Sequence, residues 1–315
     1  MFDKASTKIE EGRARGRFPL AIVLTGAVAA IALACTTPAF ANGITEDVGS
    51  SERVNLSGQL GTLSERITAA ACNLSAGIAS TEAQAVVQIS THHFGRIHKA
   101  LLEGNRGFGI LGEETRPRTL QAINDLNAKW EPLQEMANAT QPASNNVTSV
   151  ANLAEQSDPL QKEAQILVSE ITGQYADPVA LLHADALLLE IAGRQRMLAN
   201  RLSKNVCLIA SDVRDEEAIQ ELRQTITLFE TSMNALQFGL ESVGVRPPPN
   251  VAIEEGLAVV AKEWKAIRPV LDATLAGEEL SDAERAEVFL AFLGMEARMN
   301  NVVTQYMKNS KNVFG

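Results

Sequence analysis

The chain has 315 residues, of which 45% are hydrophobic, and its formal net charge at pH 7 is −10. This acidic balance argues against the class of proteins that bind nucleic acid or an anionic membrane surface through a basic patch. Aromatic residues make up only 4% of the chain, and strand signals are nearly absent, so the composition favours a helical protein.

The first segment of the chain reads as an export signal. Three arginines precede an uncharged run over residues 18–34, and Ala39-Phe40-Ala41 places small residues at both recognition positions of a signal-peptidase site. We therefore predict a cleaved signal peptide over residues 1–41 and a periplasmic protein. Two alternatives are lipidation at Cys35 and an uncleaved N-terminal helix that anchors the protein in the membrane, since the apolar run approaches the roughly 20 residues of a spanning helix.

The predicted mature chain is acidic and keeps two cysteines. Residues 1–41 carry five Lys/Arg and three Asp/Glu, so the rest has 23 basic and 35 acidic residues and a net charge of −12. Its two cysteines are Cys72 and Cys207, and an even number of cysteines is typical of disulfide-bonded proteins in an oxidising compartment. A disulfide between them is therefore plausible.

Apolar residues recur at spacings of three and four along the chain, which predicts eight amphipathic helices. In the first half the predicted helices lie near 48–77, 81–103, 116–138 and 147–174. In the second half they lie near 178–211, 215–241, 250–276 and 282–309. Glycine and proline cluster between them, notably in the segment 104–112 and in Pro247-Pro248-Pro249, and these clusters mark the predicted loops.

The two halves are copies of one another. Residues 54–67 align with residues 189–202 without a gap, and the same offset of 135 carries Cys72 onto Cys207. A repeat of this length is too long for a solenoid unit, which has roughly 20–50 residues, but it is the usual size of one domain. The chain is therefore predicted to contain two copies of a domain.

The duplication sets the predicted fold class and the domain boundaries. We predict an all-α protein with one four-helix unit over residues 42–176 and a second over residues 177–315. The connection between them is very short, with Asp177 as N-cap and Pro178 at the first helical position. The chain must then turn straight back, so that the first helices of the two repeats run parallel.

A helical wheel at about 100° per residue separates the apolar face of each first helix from a second stripe. In the second repeat this stripe comprises Leu189, Gly193, Arg196, Asn200, Ser203 and Cys207, and in the first it comprises Val54, Gly58, Gly61, Glu65, Thr68 and Cys72. Small residues on such a stripe allow a close helix approach. We call the contact between the two first helices the repeat interface, and we predict an intramolecular pseudo-dimer with a disulfide between Cys72 and Cys207.

The string Leu-Glu-Ile-Ala-Gly-Arg-Gln-Arg-Met-Leu-Ala-Asn-Arg-Leu-Ser-Lys at residues 189–204 resembles the opening helix of the PilJ-type N-terminal domain of type IV pili methyl-accepting chemotaxis transducers. That domain is similar to the periplasmic nitrate/nitrite sensor module of NarX-type histidine kinases. The resemblance is strong over about 20 residues in each repeat, and it rests on architecture over the other helices.

The resemblance implies a four-helix bundle that dimerises through its first helix, with an arginine before a methionine in each subunit holding one small anion. At the matching positions this sequence has Arg196 before Met197 in the second repeat, and Gly61 before Thr62 in the first. The candidate ligand-binding residues are therefore Arg196, Met197, Gly193, Gly58 and Gly61, with an anion such as nitrate or nitrite as the ligand. The alternative for Arg196 is an inter-helix ion pair with Glu65.

The remaining charged residues suggest structural roles. Arg66 and Arg201 occupy equivalent positions and are expected to bond helix ends or acids within their own repeats, whereas Arg194 and Lys204 are expected to be solvated. The histidines at 92, 93 and 98 lack the i, i+4 spacing of a helical metal site. No catalytic motif is recognisable, so we predict neither an enzyme nor a metal or other cofactor.

Two functions remain open from the sequence. The first is an exported ligand-sensing or ligand-binding protein with no transmitter of its own, which passes its signal to a membrane receptor or another envelope protein. The second is a helical scaffold or interaction protein of the cell envelope that binds no ligand. Nucleic acid is not an expected partner of either.

Overall fold

The computed structural model describes residues 49–175, 183–213 and 215–312, and this part of the chain contains eight α-helices and no strand. The helices are α1 Ser50–Ser75, α2 Ser80–Glu103, α3 Pro117–Ala139, α4 Val147–Tyr175, α5 His183–Ile209, α6 Asp215–Phe238, α7 Val251–Leu275 and α8 Asp282–Asn312. The predicted fold class is confirmed. The predicted signal peptide and the Asp177-Pro178 connection lie outside the described residues, so the boundary between the two predicted domains stays a prediction.

Most helix ends lie close to the predicted positions, and the early end of α6 has a local cause. The helix predicted over 215–241 ends at Phe238, because Gly239 adopts a left-handed φ of 79°. Glycine takes up this conformation without the steric cost of a side chain. The next residues, Glu241–Val243, form a short 3-10 helix instead.

The two repeats carry the same local structures. Asn105 and Ile110 form an isolated bridge around one 3-10 turn, and Leu240 and Val245 form the same bridge 135 residues later. The aromatic pairs are also repeated. Phe94 stacks on Trp130 with a centroid distance of 3.8 Å, and Phe229 stacks on Trp264 at 4.3 Å. These correspondences confirm the internal duplication in three dimensions.

Helices α1 and α5 form the centre of the molecule. Helix α1 packs against α2 and α4, α5 packs against α6 and α8, and α1 and α5 pack extensively against each other. Arg196, at the middle of α5, donates to the carbonyl of Asn55 in the first third of α1, and Cys207 is bonded to Cys72 near the C-termini of both helices. The two first helices are therefore parallel, and the predicted pseudo-dimer arrangement is the one observed.

One continuous apolar core runs across the repeat interface and includes side chains from both repeats. Because α1 and α5 are covered by neighbours on most sides, they bury polar residues as well as apolar ones, including two arginines and a lysine. Buried polar groups are stable only when they find partners. No helix in the described part of the chain is long and apolar enough to span a membrane.

Candidate functional site

Cys72 and Cys207 are disulfide-bonded at the C-terminal end of the repeat interface, with Cα atoms 6.2 Å apart. Both residues are almost completely buried, and their neighbours are apolar side chains such as Val150 and Leu208. The sequence prediction for this pair is confirmed. The bond fixes the register of α1 against α5, so it also fixes which charged residues meet further along the interface.

Glu65 pairs with Arg201 and Lys204, and the alternative pairing with Arg196 is wrong. Its Oε1 atom lies 2.7 Å from Nη2 of Arg201, and its Oε2 atom lies 3.0 Å from Nζ of Lys204. The parallel register places Glu65 opposite residues that lie further along α5 than Arg196. The carboxylate is fully buried, so these two cations provide its compensation.

Lys204 is buried within a cluster of acids, contrary to the expectation that it is solvated. Its ammonium lies 3.0 Å from Glu65, 3.3 Å from Asp158 and 3.1 Å from Glu221. Burial alone would lower the pKa of Lys204, but the three carboxylates outweigh it and raise the pKa above its ordinary value. The same balance raises the pKa of Arg201, which contacts Glu65 and Glu221.

Arg66 also reaches across the repeat interface. It forms two hydrogen bonds to the carboxylate of Glu296 on α8, at 3.0 and 2.9 Å, and Asn200 donates to the same carboxylate at 3.0 Å. The expectation that both arginines bond acids within their own repeats is therefore wrong for Arg66, whereas Arg201 bonds Glu221 within its own repeat as well as Glu65 in the other. Each joins one repeat to the other, because parallel packing of α1 on α5 brings the helices of the partner repeat within reach of long side chains.

Arg196 differs from these cations because it forms no ion pair with any residue that the structure describes. It is 1% exposed. Its Nη1 donates to Oδ1 of Asn300 at 2.7 Å, whereas its Nε and Nη2 make only long contacts, 3.4 Å to the carbonyl of Gly193 and 3.5 Å to that of Asn55. A guanidinium has five N–H donors, so most of the donor capacity of Arg196 is left weakly used.

Burial lowers the pKa of Arg196 to about 10, because removal from water disfavours the charged form. The neighbouring carboxylate of Glu296 raises the pKa again and the cation of Arg66 lowers it further. The carboxylate of Glu296 compensates the charge of Arg196 only in part, since it already accepts two hydrogen bonds from Arg66. At neutral pH the group is charged and contacts no counter-charge among the described residues.

A cavity of about 140 Å³ lies beside Arg196, where α1, α4 and α5 meet. The structure brings all five sequence-predicted ligand-binding residues to its lining: Arg196, Met197, Gly193, Gly58 and Gly61. Binding of a ligand by these residues stays a prediction, but their placement around one cavity is a finding.

The two glycines beside Arg196 make room for its guanidinium. A Cβ atom at Gly193 would lie 3.2 Å from Nη2 of Arg196, and one at Gly58 would lie 3.8 Å from the same nitrogen. No backbone atom of the opposing helix would come within 4 Å of either Cβ atom. The interpretation of these residues as a close helix crossing is therefore wrong, and Nη2 of Arg196 fills the space between the helices.

Helix α4 contributes to the cavity in a way that the sequence did not reveal. Gln161, Gln165 and Ser169 line it, and Gln161 is buried whereas the other two lie exposed at the mouth. Glu190 and Arg194 also line it and pair with each other at 2.6 Å, with Arg194 about half exposed as expected. No motif marks the α4 residues, because their role depends on how α4 packs against α1.

A second buried cation, Arg53, was not singled out from the sequence. It contacts the carboxylate of Glu114 at 3.3 Å and the carbonyl of Leu101 at 3.1 Å, and Tyr175 donates to the same carboxylate at 2.6 Å. Burial, together with this hydrogen bond, raises the pKa of Tyr175 to about 12. Arg53 thus has a counter-charge and ties α1 to the ends of α2 and α4.

The histidines lie apart from the cavity. His93 contacts the amide of Gln59 at 3.3 Å, and burial lowers the pKa values of both His93 and His98. Among the residues that the structure describes, no group of three or more histidines, cysteines or acids is arranged to hold a metal ion.

The fold places the chain in the class of all-α proteins built from tandem helical units. The model of the family described as type IV pili methyl-accepting chemotaxis transducer N-terminal domain, PilJ, matches residues 44–156 and again residues 180–288. The chain belongs to this family and contains two tandem copies of its domain. A comparison with curated proteins found no match. The family is one of sensory input domains and not of catalytic domains.

Proposed function

We propose that this protein is an exported sensory input protein that binds a small anion in the cavity beside Arg196. The observation that carries the proposal is a buried guanidinium without a counter-charge on the wall of a cavity, within a chain of the PilJ family. The candidate ligands are small carboxylates, nitrate and nitrite, the last two because the opening helix resembles that of the PilJ-type domain, which is similar to nitrate and nitrite sensor modules.

The physical reason is the cost of a buried charge. A cation removed from water must be paired or must shift its pKa, and Arg196 has the lowered pKa of a cation that lacks a partner. An anion in the cavity would supply the missing charge and accept hydrogen bonds from Nη2. Hydrogen bonds between ionised partners are roughly twice as strong as neutral ones.

Export is supported by the residues and by the covalent structure. Disulfides form and persist in oxidising compartments such as the periplasm, and Cys72 and Cys207 are bonded. The N-terminal sequence carries the expected signal pattern. In the periplasm the protein would act through a membrane receptor or another envelope protein that contacts it.

Thermal unfolding with and without each anion tests the proposal. A ligand at a hundred times its dissociation constant adds about 2.7 kcal/mol to the free energy of unfolding, which corresponds to roughly 5–11 °C in a domain of this size. We expect such a shift for the parent and none for Arg196→Gln. The matched control is Arg194→Gln, since Arg194 lines the same cavity but already pairs with Glu190.

The second candidate is a scaffold without a ligand, and the repeat interface itself favours it. The disulfide and the cluster of Glu65, Arg201 and Lys204 hold α1 and α5 in one register. If calorimetric titration of the parent with nitrate, nitrite and small carboxylates shows no binding, the scaffold function stands and the sensory proposal falls.

A further inference from the structure

The charges around the cavity set the charge of its ligand. Three charged residues line it, and two of them, Glu190 and Arg194, pair with each other at the mouth. Arg196 is therefore the one uncompensated charge among the described lining residues. A single positive charge matches a monoanion. A second negative charge on the ligand would lose its contact with water and would find no positive charge in the cavity to replace it.

The cavity walls differ from those expected for a compact oxyanion. Apart from Arg196 and Gln161, the buried part of the wall is apolar, with Val54, Leu189, Met197 and Ala164, and Val168 is half-buried. Nitrate carries three oxygens that each need donors, and the buried side chains among the described lining residues offer only the guanidinium and the amide of Gln161. A carboxylate places its charge on two oxygens at one end of the molecule and leaves the other end apolar.

The volume of the cavity allows a small organic ligand. A cavity of about 140 Å³ is well above the roughly 10–15 Å³ that one water molecule requires. A carboxylate of two to four carbons has about four to six heavy atoms. Larger ligands would have to extend through the mouth, past Gln165 and Ser169.

We propose that the ligand is a short-chain monocarboxylate of two to four carbons, with its carboxylate on Nη2 of Arg196 and its apolar body against Val54, Val168 and Met197. This inference rests on the proposed function and specifies the ligand class of the same site. The internal duplication makes such a ligand possible, because Gly61 stands where a symmetric dimer would repeat Arg196. One side of the cavity is therefore charged and the other is apolar.

Calorimetric titration of the protein with acetate, propionate, butyrate, nitrate and succinate tests the ligand class. Each added methylene that enters an apolar wall contributes about 0.8 kcal/mol, or about fourfold in affinity. We expect the affinity to rise by about this factor from acetate to propionate and again to butyrate. Succinate has the same chain length as butyrate, and its second carboxylate should weaken binding by more than about tenfold.

A variant of the apolar wall provides a second readout. Val168→Thr keeps the shape of the side chain and replaces one methyl group by a hydroxyl, so it should remove most of the gain from acetate to butyrate and leave acetate affinity nearly unchanged. Val168 is partly exposed, which allows the variant to fold. The matched control is Val259→Thr, an exposed valine on α7 away from the cavity.

The outcomes separate this inference from the proposed function. The parent could bind nitrate or nitrite but none of the carboxylates, and Arg196→Gln could lose that binding. This result would overturn the ligand class and support the anion site. Equal affinity for butyrate and succinate, or no dependence on chain length, would also overturn the ligand class. If no anion binds, or if Arg196→Gln binds butyrate as well as the parent does, both proposals fail.

Discussion

Arg196 is expected to reduce the stability of the ligand-free protein, and Arg196→Met measures this effect. Methionine replaces the aliphatic part of the side chain without the charge. Burial lowers the pKa of Arg196 by between two and three units from its ordinary value, to about 10. Because one pKa unit corresponds to about 1.4 kcal/mol, burial of the charged form costs on the order of 3 kcal/mol.

The variant loses one good interaction, and this loss limits the gain. The hydrogen bond from Nη1 to Asn300 is short, and a hydrogen bond to a charged group contributes about 1.5–3 kcal/mol. Asn300 is exposed, so water can replace the lost donor. The net change in the free energy of unfolding should therefore lie between zero and about 2 kcal/mol in favour of Arg196→Met.

The sign of the pH dependence follows from the same pKa value. The unfolded chain holds the proton of this guanidinium to a higher pH than the folded chain does. The free energy of unfolding of the parent should therefore rise relative to that of the variant only above a pH of about 10. At neutral pH the whole cost of the buried charge is present, so a single measurement at pH 7 is sufficient.

Urea unfolding at pH 7, in a buffer without nitrate, nitrite or carboxylates, is the assay. Arg201→Met is the comparison, since Arg201 lies on the same helix but pairs with the buried carboxylate of Glu65. We expect that variant to lose up to about 3 kcal/mol, less than for a carboxylate left without any cation, because Lys204 still pairs with Glu65. A comparable loss in Arg196→Met would refute the reasoning, because it would mean that the protein itself compensates the charge of Arg196.

Three further predictions concern the repeat interface. Lys204→Met should lower the free energy of unfolding by about 3–5 kcal/mol in urea titrations, because it removes a cation shared by three carboxylates. Gly58→Ala should leave the free energy of unfolding unchanged or raise it by up to about 1 kcal/mol. Gly193→Ala should weaken anion binding in calorimetry, because its Cβ would lie only 3.2 Å from the guanidinium of Arg196. Equal anion binding by the two variants would contradict this. Replacement of Cys72 and Cys207 by serine should lower stability by up to about 4–5 kcal/mol for a separation of 135 residues, and peptide mapping of the exported parent without reductant should recover the two cysteines in one linked peptide pair.

The fold could be predicted from the sequence because its two strongest signals are local and repeated. Helical spacing fixes where the helices lie, and the offset that carries Cys72 onto Cys207 shows that there are two units. Parallel first helices followed from the short connection between the repeats. The early end of α6 at Phe238 depended on the backbone conformation of Gly239, which spacing alone cannot specify.

Five of the cavity-lining residues on α1 and α5 could be predicted, but the ion pairs could not. A helical wheel gives the direction of each side chain about its own helix, and it contains no information on the register between helices. Glu65 and Arg196 share the interface stripe, yet the observed register places Glu65 beside Arg201 and Lys204 instead. For the same reason the contribution of Gln161 on α4 became visible only in the packed structure.

Divergence between the repeats explains why one cation at the interface is left without a counter-charge. In a symmetric dimer both subunits carry the same first helix. A charged residue that forms an ion pair across the interface therefore occurs twice, once on each helix. Here Glu65 corresponds to Asn200, and α5 alone carries Lys204 into the acidic cluster. Glu65 binds cations toward the disulfide end, and Glu52, the other acid on α1, forms no ion pair with Arg196 in the part of the chain that the structure describes. The duplication thus allows one part of the interface to hold the repeats together while another part keeps a charge available for a ligand.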